Sequence, residues 1–196
     1  MKIDEIKFFD KISDSWDDNE TLSTPKVIRN LLSLINIDKG ASILDLGTGT
    51  GVLIPFLEEA VGPEGNIVAI DFSEGMLNKA ISKFGSFHNV EFLHKDFEDQ
   101  PVEGRFDFIF LYCVFPHLHS PEETLKSLIS HNLKPGGVII ISFPTDEVFV
   151  NNIHKEKKAD SDLLPSANQL SARLLSWGIN AKVVSASNPY MVIITR

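Results

Sequence analysis

The chain of 196 residues, 43% hydrophobic and 23% charged, has the length of one domain and the composition of an ordinary soluble globular protein. Its net charge of −9 argues against broad binding to nucleic acid or an anionic membrane, which need a basic face, and its single cysteine excludes an intrachain disulfide framework and fits a reducing cytosol. No stretch approaches a membrane span and Met1-Lys2-Ile3-Asp4-Glu5 does not begin a secretory signal, so the expectation is a cytoplasmic protein with no membrane or nucleic-acid partner.

In chain order, residues 4–17 place Phe8, Phe9, Ile12 and Trp16 at near-helical spacing, which predicts an amphipathic helix with its aromatics on the body. Thr24 is expected to cap a helix with Pro25 at its first position and a stripe of Val27, Ile28, Leu31, Leu32 and Ile35. The chain is organised around the next stretch, Ile43–Leu53. An apolar run carrying Asp45 gives way to Gly47, Thr48, Gly49, Thr50 and Gly51, and apolar residues resume at Val52, Leu53, Phe56 and Leu57. That is a buried strand, a tight glycine turn and a helix. The next apolar run, Ile67–Ile70, ends at Asp71, the separation at which such units grip a ribose hydroxyl. The pattern is a nucleoside-binding βαβ unit. A dinucleotide fingerprint places its third glycine where this chain has Val52, so the spacing departs from that motif.

Ser73 should cap a helix with Met76, Leu77, Ala80, Ile81 and Phe84 facing inward. Residues 89–93 alternate as a strand and lead into His94-Lys95-Asp96-Phe97. Phe106–Leu111 reads as a central parallel strand, with Asp107 a structural acceptor near its start, and runs into Tyr112, Cys113 and then His117 and His119. Ser120 and Glu123 have capping-box spacing ahead of a helix burying Leu125, Leu128 and Ile129. Val138–Phe143 is a further apolar strand. Residues 144–165 read as an irregular connection containing the charged run 154–158, and Ser166–Trp177 as a helix burying Leu170, Leu174, Leu175 and Trp177. Two closing strands, 181–185 and 190–195, are joined by so short a link that they form a hairpin, so one must run antiparallel to the rest. A nicotinamide-binding half would need another crossover helix there.

The run Asp45-x-Gly47-x-Gly49-x-Gly51 resembles the first motif of the class I S-adenosylmethionine-dependent methyltransferases. Asp71-Phe72-Ser73-x-x-Met76 is similar to their second motif, and Leu133-Lys134-Pro135-Gly136-Gly137 to the run before their fifth strand. The general likeness is to the branch containing quinone-biosynthesis enzymes. The resemblance implies an α/β, Rossmann-like, doubly wound seven-stranded sheet, mostly parallel with an antiparallel strand in the C-terminal hairpin. It also implies a single domain over 1–196: a helical lid and first helix in 1–36, a cofactor-binding core in 41–143, the irregular connection 144–165, and a terminal helix and hairpin in 166–196.

With S-adenosyl-L-methionine as the implied cofactor, the loop Asp45, Gly47, Thr48, Gly49 and Gly51 and the following helix N-terminus favour the methionyl carboxylate. Asp71 can accept from both ribose hydroxyls, because an ionised carboxylate has two acceptor oxygens. Phe72 and Met76 are placed to sandwich the adenine ring. The resemblance puts Asp96, beside Phe97, against the adenine amino group, and Leu111 and Tyr112 at the crevice wall. It makes Phe9-Asp10 and Trp16-Asp17 a lid over the cofactor, against the reading of Trp16 as a packed aromatic. Transfer to a small-molecule acceptor is an in-line displacement that needs alignment above all; if the nucleophile arrives protonated, His117 is the base, although Pro116 stands where many relatives carry another histidine. Cys113, His117 and His119 also admit a metal site, but they lack the paired spacing of a zinc motif, so no metal is assigned. A cofactor-binding protein without catalysis, serving as sensor or partner subunit, is the alternative reading.

Overall fold

The structure, a computed structural model, describes residues 3–19, 24–156 and 163–196. Strand β1 (Ser42–Leu46) lies mid-sheet and is buried along its whole length. Around it are β2 (Asn66–Asp71), β3 (Val90–His94), β4 (Phe106–Tyr112), β5 (Leu133–Phe143), β6 (Ala181–Ala186) and β7 (Tyr190–Thr195), in the order β3-β2-β1-β4-β5-β7-β6. Neighbours pair in parallel except β7, which is antiparallel to both β5 and β6. The hairpin therefore closes the sheet by inserting its second strand between β5 and β6, and the expected seven-stranded, mostly parallel sheet is present.

Because strand side chains alternate, β1 feeds both faces. Leu44 and Leu46 join Ile109, Leu111, Ile139 and Ile141 on one face. That face is covered by α5 (Pro121–Ser127), α6 (Glu147–Glu156) and α7 (Ala167–Ser176). Ile43 joins Phe108, Phe110 and Ile140 on the other, under α2 (Pro25–Leu32) and α3 (Ile54–Val61), with Phe84 of α4 (Glu74–Phe84) packed on the same cluster. Switching direction at β1 and β4 opens the crevice at the carboxyl edge of the sheet.

Several local expectations are corrected. Thr24 occupies the N-cap of α2 without a side-chain hydrogen bond. Ser120 makes no capping bond either. Its helix start is held by Glu98, whose carboxylate accepts from the His119 and Ser120 amides and the Thr124 hydroxyl at 3.0, 3.3 and 2.7 Å. Ser73 does cap α4, accepting from the Met76 amide, and Ser166 forms a full capping box with Gln169. Ile81 and Leu175 are exposed. Each sits one step off a stripe that the neighbouring residues already fill, Leu77–Ala80–Phe84 and Leu170–Leu174. The connection 144–165 is not irregular throughout, since residues 147–156 are helical. Val150 is buried there while Val148 and Phe149 are exposed, so no clean amphipathic stripe announced the helix. Residues 157–162, with Lys157 and Lys158 of the charged run, lie outside the described residues.

Candidate functional site

Strands β1, β2 and β4 deliver Leu46, Asp71 and Tyr112 to one edge of the sheet. The turn after β1 is tied to β2 by the Thr48 amide, which donates to the Ile70 carbonyl at 2.9 Å, and is closed on itself by the Gly51 amide donating to the Thr48 carbonyl. Gly47 and Gly49 both have positive φ, +68° and +56°. A Cβ at Gly47 would lie 2.5 Å from Val114 Cγ2, so glycine is required by close packing against the chain after β4. A Cβ at Gly49 would meet nothing within 4 Å, which leaves the loop's outer side open to approach by a ligand.

Asp71 is buried, and its Oδ2 accepts from the Gly49 amide at 2.7 Å while Oδ1 accepts from the Ser73 amide at 2.8 Å. Burial pushes its carboxyl up to about 6, against the two amides and His94, with Asp10 adding to the rise. His94 itself lies 2.9 Å from the Phe72 carbonyl and braces the turn after β2. Asp45 is 1% exposed and its Oδ2 has no hydrogen-bond partner. Burial pushes this carboxyl up to about 7, opposed by the nearby Thr48 hydroxyl and assisted by the like charge of Asp71. Two carboxylates are thus sunk beside the glycine turn, and the forces on Asp45 include no cation.

The crevice is roofed by the N-terminal segment. Helix α1 (Ile3–Ile12) and the two short 3-10 turns Ser13–Ser15 and Asp17–Asn19 lie against α4. Asp10 accepts from the Ser73 hydroxyl at 2.6 Å and the Gly75 amide at 3.0 Å, placing an anion at the N-terminus of α4. Asp14 pairs with Lys79 at 2.6 Å. Asp17 pairs with Lys83 at 2.6 Å and accepts from the Thr50 hydroxyl at 2.7 Å, while Lys83 also donates to the Thr50 carbonyl. Although burial alone would raise it, these bonds hold Asp17 below the usual carboxylate range. Beneath, the Phe9 ring meets Trp16, Phe72 and His117 edge-on, with centroids 5.8, 5.7 and 5.7 Å away. The segment therefore spans from the glycine turn, across Phe72, to the chain after β4. There Glu5 Oε1 lies 3.6 Å from His117 Nδ1.

Of the residues singled out from the sequence, the structure gathers Trp16, Asp45, Gly47, Thr48, Gly49, Gly51, Asp71, Phe72 and His117 at this edge. Met76 is nearly enclosed in α4, Leu111 is buried on the α5–α7 face and Tyr112 on the α2–α3 face. Asp96 sits in the turn after β3, where its Oδ1 accepts from the Glu98 amide, and Phe97 is half-buried against the core behind it. Cys113 is exposed with φ +59°, and His119 Nδ1 lies 3.6 Å from Glu98. Among the described residues no group of three or more His, Cys, Asp or Glu could hold a metal ion. The sequence patterns assign no site role to Glu5, Thr50 or Lys83, and Asp10 and Asp17 enter only through their motif. The available signal is spacing, for Asp10, Asp14 and Asp17 lie four and three apart and Gly75, Lys79 and Lys83 on α4 lie four and four apart, both close to a helical turn.

The acceptor set suits a ligand with an ammonium group and neighbouring hydroxyls. A cation would satisfy Asp45 Oδ2, and Asp71 keeps lone pairs beyond those its two amides use. Residues 37–182 match the family described as "Methyltransferase domain". The chain is 34% identical over 137 residues to the malonyl-[acyl-carrier protein] O-methyltransferase of Marinomonas sp. (strain MWYL1), covering 69% of this chain and 50% of that one. It is 33% identical over 125 residues to the demethylmenaquinone methyltransferase of Staphylococcus saprophyticus, covering 62% and 53%. The chain thus spans about half the length of these curated relatives. In three dimensions it is similar to a SAM dependent methyltransferase from Aquifex aeolicus, with a TM-score of 0.73 at 26% identity over 94% of this chain and 96% of that one.

Proposed function

This chain belongs to the class I S-adenosylmethionine-dependent methyltransferases, and from that premise we propose that it transfers a methyl group from S-adenosyl-L-methionine to a small-molecule acceptor beneath the N-terminal segment. The observation that carries the reading is the unpartnered, buried Asp45 Oδ2 beside the Asp71 carboxylate and the open side of Gly49. Asp45 would hold the methionyl ammonium and Asp71 the ribose hydroxyls, with the methionyl carboxylate along the open side of the glycine turn, whose Thr48, Gly49 and Gly51 amides are already engaged within the chain. Phe72 offers the adenine a ring face at the turn after β2, with Asp96 and Phe97 after β3 as its further wall. When bound, the cofactor supplies an activated methyl on a sulfonium. The chain supplies alignment and the exclusion of water, which together can account for most of the acceleration such a displacement needs.

The roof serves the second task. Asp10 and Asp17 pin it to both elements that grip the cofactor, the turn after Asp71 and the glycine turn, and the Phe9–Trp16–Phe72 rings fill the space below. His117, at the far end of that roof, is the residue positioned to take a proton from an acceptor that carries one. The likeness to relatives named as a demethylmenaquinone methyltransferase and a malonyl-[acyl-carrier protein] O-methyltransferase supports a small-molecule type of acceptor, with oxygen among the atoms that could receive the methyl group.

Calorimetric titration with S-adenosyl-L-methionine tests the reading. Saturable binding is expected, and Asp71→Ala should weaken it by about 1.5–3 kcal/mol, the value of hydrogen bonds to a charged group. No heat with the wild-type protein, or displacement by a nicotinamide dinucleotide, would overturn it. Incubation of methyl-labelled cofactor with a cell extract then identifies the acceptor.

A further inference from the structure

His117 is held from two sides. Its amide donates to the Val114 carbonyl at 2.9 Å in the 3-10 turn Phe115–His117, anchored by the buried Phe115, so the backbone belongs to the sheet edge. Its ring belongs to the roof: Phe9 lies against it edge-on, and Glu5 Oε1 approaches Nδ1 at 3.6 Å, with the two side chains only 17% and 23% exposed for Glu5 and His117. Both roof residues come from α1, and α1 keeps its place through Asp10 on the first turn of α4. The distance to Glu5 is that of an ion pair just outside a hydrogen bond, the looseness expected of such a pair before an acceptor binds. Which imidazole nitrogen carries the proton is set by the partner of the other.

We infer that Glu5 is a positioning residue that holds His117 as the Nδ1–H tautomer, so that docking of the N-terminal segment turns an unprotonated Nε2 toward the acceptor. The inference rests on the proposed transfer reaction. In that reaction the acceptor's proton passes to Nε2, and the electron pair it leaves forms the bond to the methyl carbon. The pair of the broken carbon–sulfur bond stays on sulfur as a neutral thioether. The resulting imidazolium faces the Glu5 carboxylate across Nδ1, and the proton leaves to solvent when the roof lifts. Closing the roof thus does two things at once: it shuts water out and it prepares the base. An undocked segment leaves His117 free to exchange tautomers, and transfer without the roof is disfavoured.

The test reads the free protein. In ¹⁵N-labelled wild type, long-range proton–nitrogen spectra above neutral pH should show the His117 ring protonated at Nδ1, with His117→Gln identifying its signals. Glu5→Met removes the acceptor while keeping the bulk, and should move the proton to Nε2 or give a mixture. Glu5→Gln keeps a carbonyl oxygen in place and should restore the Nδ1–H pattern. Unchanged His117 nitrogens in Glu5→Met, or the same change in Glu5→Gln as in Glu5→Met, would overturn the inference. Failure of the wild type to bind the cofactor would overturn the function instead and leaves this measurement readable.

Discussion

Asp107 and the pair Asp45 and Asp71 sit at opposite edges of one sheet and live under opposite rules. At the amino edge, Asp107 Oδ2 accepts from the Ser42 amide, the Ser42 hydroxyl and Lys134 Nζ, each at 2.8 Å. Burial pushes that carboxyl up, but Lys134 and Ser42 outweigh it and hold it below the usual range. At the carboxyl edge, Asp45 and Asp71 are more deeply buried and are pushed up to about 7 and about 6. The first network is complete within the chain and fastens β1 to β4. The second is short of donors, a cost that folding alone does not recover and that a ligand can. Concavity is a poorer guide than this shortage. A cavity of about 320 Å³, lined in part by Lys39, Gly40, Asp107 and Gly136, opens at the amino edge, beside the network whose needs are already met.

The sharpest way to break the contrast is to spoil the ligand edge alone. Gly49→Val should abolish cofactor binding in calorimetry while the protein remains folded. No atom lies within 4 Å of the added Cβ, and the fold bears only the backbone strain of a positive φ, about 1–2 kcal/mol. The next effect is set by protons. Only ionised Asp45 attracts an ammonium, so affinity measured by calorimetry should rise roughly tenfold between about pH 6 and about pH 8, as expected for a group titrating near 7. The sign for the ligand-free protein is the reverse. A carboxyl raised by folding adds stability that is complete below its unfolded value, near 3.8, and is lost as pH climbs through about 7. Asp107, lowered by folding, adds stability present above 3.8 and lost as pH falls through its depressed value. Denaturant midpoints across this range should therefore decline toward neutrality without cofactor and recover with it. The smallest effect belongs to the satisfied edge. Lys134→Met removes a half-exposed ion pair and should cost about 0.5–1 kcal/mol in denaturant unfolding, with cofactor affinity unchanged.

The two edges also differ in how far the sequence disclosed them. Local patterns carried the sheet: apolar runs for β1, β4 and β5, the glycine turn, Ser73 as a cap, and a closing hairpin too tight for a crossover. They put Asp45, Asp71 and the glycines at or just after the ends of β1 and β2, where the structure has them, because those residues adjoin the apolar runs that announce the strands. What local patterns could not carry was long-range charge pairing. Glu98 replaces Ser120 at the start of α5 from over twenty residues away, and Asp10 and Ser73 meet across sixty-three. A carboxylate in search of a distant amide leaves no periodicity. The same blindness hid Glu5 beside His117, and the helix 147–156 escaped because Val148 and Phe149 are exposed while Val150, between them and the next turn, is buried.

The rungs from Asp10, Asp14 and Asp17 differ: the first is made to a backbone amide and a hydroxyl, and the other two to partly exposed lysines, with Asp17 held in addition by the Thr50 hydroxyl. Dissolved ions compete with the outer two and hardly with the first. Added salt should thus slacken the Asp14 rung before its neighbours, leaving the door hinged at Asp10 and latched at the Thr50 hydroxyl, and the molecule would breathe faster in brine than in dilute buffer without any change to its floor.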